Sequence, residues 1–121
     1  MGTHFDLAVW DRSHRQTSSL YILSRRLPAH EFLGLGAEIC SAAAAIPTHI
    51  AESTRQRARA DKLRHLDEAR RRAVETEALL LLLAELPYLN RDTVRMLAAE
   101  NQRIQRLLEE HQGAVARGDY L

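Results

Sequence analysis

Residues 59–86 read RADKLRHLDEARRRAVETEALLLLLAEL, and this stretch decides the fold class. Apolar and small side chains recur in it at spacings of three and four, which place them on one face of an α-helix. They are Leu63, Leu66, Ala69, Ala73, Thr76, Leu80 and Leu83. Pro87 follows at once, and the residue before a proline is pushed out of the helical region. The stretch therefore predicts a long amphipathic helix over residues 59–86.

The sequence on either side predicts three more helices, over residues 7–26, 35–54 and 90–112. Asp6 is the candidate N-cap of the first helix and Asn90 that of the last, because short polar side chains accept hydrogen bonds from the free amides of a first turn. The first helix is expected to end before Pro28. Gly113 is the expected end of the last helix, since glycine is common just after a helix.

The second predicted helix contains a proline. Gly34 and Gly36 mark its start, and an alanine-rich apolar stripe follows. Pro47 has no amide to donate to the carbonyl of Ala43, so it should kink the helix at that point. The alternative is that the helix breaks at Pro47 and begins again.

The composition agrees with an all-α protein. The chain has 121 residues but contains five glycines and three prolines, too few for the many turns of an all-β fold. Four helices with short connections predict one domain over residues 1–121, an antiparallel up-down-up-down four-helix bundle with a kinked second helix. No secretory signal is evident, and the longest apolar run, residues 78–84, is far too short for a membrane span. We therefore expect a cytoplasmic protein with no membrane partner.

Basic charge is concentrated in one window. The chain has 17 Lys and Arg against 16 Asp and Glu, but residues 55–72 hold eight basic and three acidic side chains, a local charge of +5. Arg57, Arg64 and Arg71 recur every seven residues on the predicted outer face, and Arg72 lies beside them. Because guanidinium groups bind phosphate in bidentate fashion, these four arginines are the candidate nucleic-acid-binding residues.

The alternative for this window is a solvated helix face with local ion pairs. Glu68 precedes Arg72 by four residues and Arg71 precedes Glu75 by four, and such spacings favour pairing on a helix. No aromatic side chains interleave with these arginines, which weakens the case for base recognition.

A leucine patch follows the basic window on the same predicted outer stripe. Leu79, Leu82 and Leu86 lie there, and residues 79–83 are apolar all round the helix. A surface helix of a monomer should keep a polar face, so these leucines are the candidate oligomer interface. The alternative is that a loop or the N-terminal segment covers them.

No catalytic, cofactor-binding or metal-binding residues are predicted. The di-iron bundles use Glu-x-x-His pairs, whereas this chain offers a single Asp11-x-x-His14. His14 and His111 fall at inward positions and are read as core histidines. The carboxylates Glu52, Glu75 and Glu77 are expected to pair with arginines, and Asn101 is expected to set the alignment of the last helix. Cys40 is the lone cysteine, which excludes an intramolecular disulfide.

Four short motifs follow one another along the sequence. They are Phe5-Asp6-Leu7-Ala8-Val9-Trp10, Leu27-Pro28-x-x-Glu31-Phe32-x-Gly34-Leu35, Ile46-Pro47-x-x-Ile50-Ala51-Glu52, and Ala69 with Glu75. In this order the chain resembles, over about residues 5–110, the four-helix-bundle proteins encoded by intervening sequences in bacterial 23S ribosomal RNA genes. The accessory protein of diversity-generating retroelements looks like a relative. The resemblance implies a ring-shaped homo-oligomer, a homopentamer, without enzyme activity, and for the retroelement relative it implies work with nucleic acid.

The chain departs from the family pattern where charge matters. Cys40 and Ser41 stand where the family commonly has two arginines, and Arg71 and Arg72 stand where it commonly has Gly-Ser. His49 replaces the asparagine of the family signature. The predicted function is a non-enzymatic, homo-oligomeric scaffold or accessory protein that contacts RNA or DNA. The alternative is a structural module that binds a protein partner and no nucleic acid.

Overall fold

The computed structural model describes residues 7–119, which form four long helices. They are α1 (Ala8–Ser24), α2 (Ala29–Arg55), α3 (Arg59–Glu85) and α4 (Arg91–Ala116). Each helix packs against the next, and α1 also packs against α4, so the four helices close into a bundle. Within residues 7–119 there is no β-strand. The predicted all-α four-helix bundle is therefore confirmed.

The contacts between α3 and α4 run in opposite directions along the two helices. Arg70 on α3 bonds to Glu109 on α4, whereas Glu77, two turns later on α3, bonds to Gln102, two turns earlier on α4. Rising numbers on one helix meet falling numbers on the other, as in antiparallel neighbours.

The core consists of two clusters of buried apolar side chains along the bundle. One contains Leu20, Leu80 and Val94, and the other contains Ile50, Leu66 and Ile104. Six of the seven positions predicted for the inner face of α3 are buried, and Leu63 is half-buried. Full burial of a leucine side chain contributes about 1.5–3 kcal/mol, so this stripe is a main source of stability.

The start of α2 differs from its prediction. The helix begins at Ala29, not near residue 35, and passes through a π-helical segment, Phe32–Gly36, before the regular α-helix Ala37–Arg55. Gly36 does not start the helix but allows close packing. A Cβ there would lie 3.1 Å from Leu27 Cδ1 and 3.2 Å from the carbonyl oxygen of Glu31. Gly36 therefore does not mark a helix boundary; its lack of a side chain lets Leu27 pack against the helix.

Pro47 lies inside the unbroken helix Ala37–Arg55, and its side chain is buried. The alternative of a break and restart at this residue is therefore wrong. The kink remains a prediction.

The ends of α1 and α4 also differ from expectation. The helix α1 ends at Ser24, and the next three residues make tighter i→i−3 bonds before Pro28. The predicted N-cap Asp6 lies outside the described residues. Asn90 caps α4 as predicted, with its Oδ1 accepting from the Thr93 amide at 3.1 Å. However, α4 continues past Gly113 to Ala116, because the neighbouring Ala114 and Val115 are buried and their packing keeps the last turn helical.

By length and composition alone, α2 is apolar enough to cross a membrane. The core helix of a soluble protein passes the same test, and α2 buries Ile39, Ile46 and Ile50 among its neighbours. This is weak evidence for a membrane span.

Candidate nucleic-acid interface

The predicted arginine stripe is interrupted by the connection between α2 and α3. Gln56 and Ala58 have extended backbone conformations, and α3 begins at Arg59. Arg57 therefore lies in a three-residue connection, exposed, and not on a helical face shared with Arg64 and Arg71. The seven-residue spacing assumed an unbroken helix, which the structure does not have at residue 57.

The other three predicted arginines are held by carboxylates of the same helix. Arg64 is exposed and lies 3.4 Å from Asp61. Arg71 is also exposed and lies 3.2 Å from Asp67, with Glu68 at 3.9 Å. Each is therefore part of a local pair.

Arg72 is more enclosed than the other two. It is half-buried between Glu68, at 3.3 Å, and Glu75, at 3.1 Å. The expected Glu68–Arg72 pair is present, while Glu75 pairs with Arg72 and not with Arg71. The local ion pairs of the alternative reading are thus seen along α3, and much of its positive charge is cancelled.

The connection, in contrast, presents arginines without partners. Among residues 7–119, Arg55, Arg57 and Arg59 are exposed and have no carboxylate oxygen within 4.0 Å. The dipole of α2 favours Arg55 at its C-terminus, but the dipole of α3 disfavours Arg59 at its N-terminus. We call these three residues the arginine connection. They give three unneutralised cations within five residues.

A groove of about 540 Å³ between α1 and α2 ends at this connection. Its lining consists of Trp10, His14, Thr17, Ala44, Pro47, Thr48, Ala51, Glu52 and Arg55. The Trp10 and His14 rings are stacked in it, 4.7 Å apart at 10°. His14 is exposed, so its assignment to the core was wrong: one turn after Trp10, it lies on the rim of α1 and not inside. The sequence separates these aromatic rings from Arg55 by about 40 residues, and the fold brings them together.

A pair of histidines joins α2 to α3. The Nδ1 atoms of His49 and His65 are 3.3 Å apart, so one ring donates and the other accepts. Burial lowers the pKa of His49, and the nearby His65 and Arg72 lower it further, while Glu68 and Glu52 act against the shift. Within residues 7–119, no group of three His, Cys, Asp or Glu side chains is placed to hold a metal ion.

The expected partners of the glutamates are partly wrong. Glu77 accepts hydrogen bonds from Gln105 at 2.8 Å and from Gln102 at 2.6 Å, not from an arginine. Gln105 also donates to Asn101, which in turn donates to the buried Gln16 on α1. Gln16 was not predicted from the sequence, although a polar residue on the same helical stripe as Val9, Leu20 and Leu23 signals such a network.

The predicted interface leucines occupy different environments. Leu79 is half-buried and packs on the core, and Leu86, just beyond α3, is half-buried too. Leu82 is 47% exposed, as is Leu81, and Val74 is 54% exposed. The exposed apolar strip of α3 therefore consists of Val74, Leu81 and Leu82. Val74 and Leu81 were not predicted, because the predicted outer face was offset by one residue along the helix.

Comparison with known proteins agrees with the sequence resemblance. The chain is similar to a crystal structure from Bacteroides thetaiotaomicron, described as a protein with unknown function from the S23 ribosomal protein family. The TM-score is 0.80 at 24% identity, over 87% of this chain and 95% of that one, which shows a shared fold. No curated protein matches the chain. A model of the 23S rRNA-intervening sequence protein family matches residues 5–110, most of the chain. The chain therefore belongs to the 23S rRNA-intervening sequence protein family.

Proposed function

We propose that this chain is a non-enzymatic cytoplasmic scaffold that contacts RNA or DNA through the arginine connection, Arg55, Arg57 and Arg59. The observation that carries the proposal is the absence of carboxylate partners at these three exposed residues within the described part of the chain. An unpaired guanidinium binds a phosphate without first releasing a carboxylate, and its planar fork fits two phosphate oxygens.

The arginines of α3 are less suited to this role. A phosphate that approaches Arg71 also meets Asp67 and Glu68, whose negative charges repel it. Exposed ion pairs are worth about 0–1 kcal/mol, so the obstacle is this repulsion more than the cost of breaking a pair. The basic window predicted from the sequence thus divides into a neutralised helix and a free connection.

The proposal is tested by titrating labelled single-stranded RNA with the protein at low ionic strength. We expect weak, sequence-tolerant binding. The logarithm of the association constant should fall with the logarithm of the salt concentration at a slope of about −2, because each of three single-strand phosphate contacts contributes roughly −0.7. Changing Arg55, Arg57 and Arg59 together to glutamine should abolish binding.

The matched control removes the same charge from the helix, with Arg64, Arg71 and Arg72 changed to glutamine. We expect this variant to retain most of the affinity. Loss confined to this control variant would place the site on α3, and equal loss in both variants would show that binding follows net charge; either result would contradict our assignment. No binding by the wild-type protein at low salt would contradict the nucleic-acid role itself.

A separate observation favours a second candidate function, a protein–protein assembly module. The strip formed by Val74, Leu81 and Leu82 exposes three large apolar side chains on one helix. Clustered apolar exposure of this kind marks a contact surface. A second copy of the chain is the partner we propose, in line with the ring-shaped homo-oligomer, a homopentamer, that the family resemblance implies. The two functions are compatible, because the strip lies in the C-terminal half of α3 and the arginine connection adjoins its N-terminus.

A further inference from the structure

We propose that the groove between α1 and α2 holds an unpaired base of single-stranded nucleic acid, while the arginine connection holds the adjoining phosphates. This inference rests on the proposed nucleic-acid function and assigns it a base-binding site. The arginine connection would then be one end of a continuous binding surface that also includes the groove.

A stacked pair of aromatic rings lines the groove. Trp10 and His14 are nearly parallel, with ring centroids 4.7 Å apart. Trp10 is half-buried and packs against a core cluster, whereas His14 is exposed. Trp10 therefore anchors the pair, and the exposed ring of His14 offers an aromatic surface beside it on which a base in the groove can stack. Stacking of a base on an aromatic side chain is worth about 1–3 kcal/mol and tolerates any base.

Two charged side chains line the same groove as the stacked rings. Glu52 and Arg55 both line the groove and are three residues apart on α2, yet they form no ion pair with each other. Arg55 is thus available for a phosphate. The Glu52 carboxylate is available to accept from a base amino group or a ribose hydroxyl, groups that an unpaired nucleotide exposes.

The groove is large enough for a small ligand and is continuous with the arginine connection. The groove volume of about 540 Å³ lies within the range of roughly 300–1,000 Å³ typical of small-ligand sites. Arg55 belongs to both the groove and the arginine connection. The phosphates next to a base in the groove would therefore lie near the arginines of the connection. Bases within a duplex are already stacked and paired, so the site should select single strands.

The lone tryptophan of the chain supplies a direct measurement, since Trp10 is the single tryptophan in 121 residues. We expect a 12-nucleotide oligouridylate to quench Trp10 fluorescence saturably, and a duplex RNA of equal length to do so at least tenfold more weakly. His14→Ala should weaken oligouridylate binding about fivefold or more, measured by fluorescence anisotropy of a labelled strand. Tyr21→Ala is the matched control, because Tyr21 is an exposed aromatic residue of α1 outside the groove and its loss should leave the affinity unchanged.

The outcomes separate this inference from the proposed function. If RNA binds and the arginine-connection variant loses binding, but His14→Ala binds like the wild type and Trp10 is not quenched, the inference is wrong and the function stands. Equal affinity for duplex RNA would also overturn the inference. If the wild-type protein binds no RNA, both fail together. His14 is exposed, so its substitution tests the site without disturbing the core.

Discussion

The side chain of Thr17 on α1 supplies the hydrogen bond that Pro47 removes from α2. Pro47 has no amide, so the carbonyl of Ala43, four residues earlier, lacks its usual helical donor. Ala43 is fully buried, and an unsatisfied buried carbonyl would be costly. The Thr17 Oγ1 atom lies 3.1 Å from this carbonyl and 2.8 Å from that of Ser13, within hydrogen-bond distance of both. The proline and the threonine therefore act as a pair across the α1–α2 contact.

This pairing predicts a coupling between two substitutions. Thr17→Val keeps the shape of the side chain but removes the donor, and should lower the free energy of unfolding by about 1–2 kcal/mol. In a Pro47→Ala background the restored amide can bond to Ala43, so the same change should cost clearly less. Urea unfolding of the four proteins in the cycle measures the difference.

The control for this cycle is Thr48→Val. The Thr48 hydroxyl bonds to the Ala44 carbonyl within its own helix and is exposed, so its loss should change stability by less than about 0.5 kcal/mol. Additive effects of Thr17→Val and Pro47→Ala would show that the Ala43 carbonyl does not depend on Thr17. Far-UV circular dichroism should show undiminished helix content in Pro47→Ala.

The buried amide network makes a second prediction. Asn101 is fully buried, donates to Gln16 Oε1 at 3.0 Å and accepts from Gln105 at 2.8 Å. Asn101→Ala leaves a buried oxygen on Gln16 without its donor, so we expect a loss of about 1–3 kcal/mol in denaturant unfolding. Gln102→Ala removes an exposed bond to Glu77 and should cost far less. Similar costs for both variants would contradict a structural role for the network.

The fold was predictable because the strongest signals agreed with one another. The inner stripe of α3 and its end before Pro87 depend on local periodicity and on backbone sterics, and both were placed to within a residue. The helix boundaries predicted at Gly36 and Gly113 were wrong, because the glycine itself does not show which side chains pack around it. Close packing of Leu27 explains Gly36, and burial of Val115 keeps Gly113 within a helix. Both effects come from tertiary contacts that a local reading does not contain.

The candidate site was predictable in composition but not in arrangement. The basic window was evident from the sequence. Which of its arginines pair with carboxylates depends on which of them lie within a helix. The extended residues around Arg57 decide that question. The groove could not be foreseen, because Trp10 and Arg55 lie on different helices and meet through the packing of α1 on α2.

The histidines predict a loss of stability in mild acid. Burial lowers the pKa of both His49 and His111 below the ordinary value of 6.5, so the unfolded chain binds protons more readily than the folded one. Stability is therefore full above pH 6.5 and declines as the pH falls below it. His49→Asn should reduce this decline, measured by urea unfolding at a series of pH values. Equal stability at about pH 7.5 and pH 5 in the wild type would refute the prediction.

The exposed strip of α3 makes the last prediction, which concerns assembly. Leu82 is 47% exposed beside Leu81 and so tests the surface without opening the core, whereas Leu79 packs on the core and its loss would confound folding with association. Leu82→Glu would place a charge in an apolar contact, at a cost of several kcal/mol in the assembled state. We expect light scattering to show a wild-type oligomer larger than a dimer and a smaller species for Leu82→Glu.

The matched control for this prediction is Met96→Glu. Met96 is more exposed than Leu82 and lies on α4, away from the strip, so a glutamate there should leave the oligomer mass unchanged. A monomeric wild-type protein would contradict the assembly proposal, and an oligomer that survives Leu82→Glu would move the contact to another face. Because the arginine connection lies at the far end of α3, Leu82→Glu should retain the arginine contacts of each subunit while losing any affinity gained by joining several subunits on one strand.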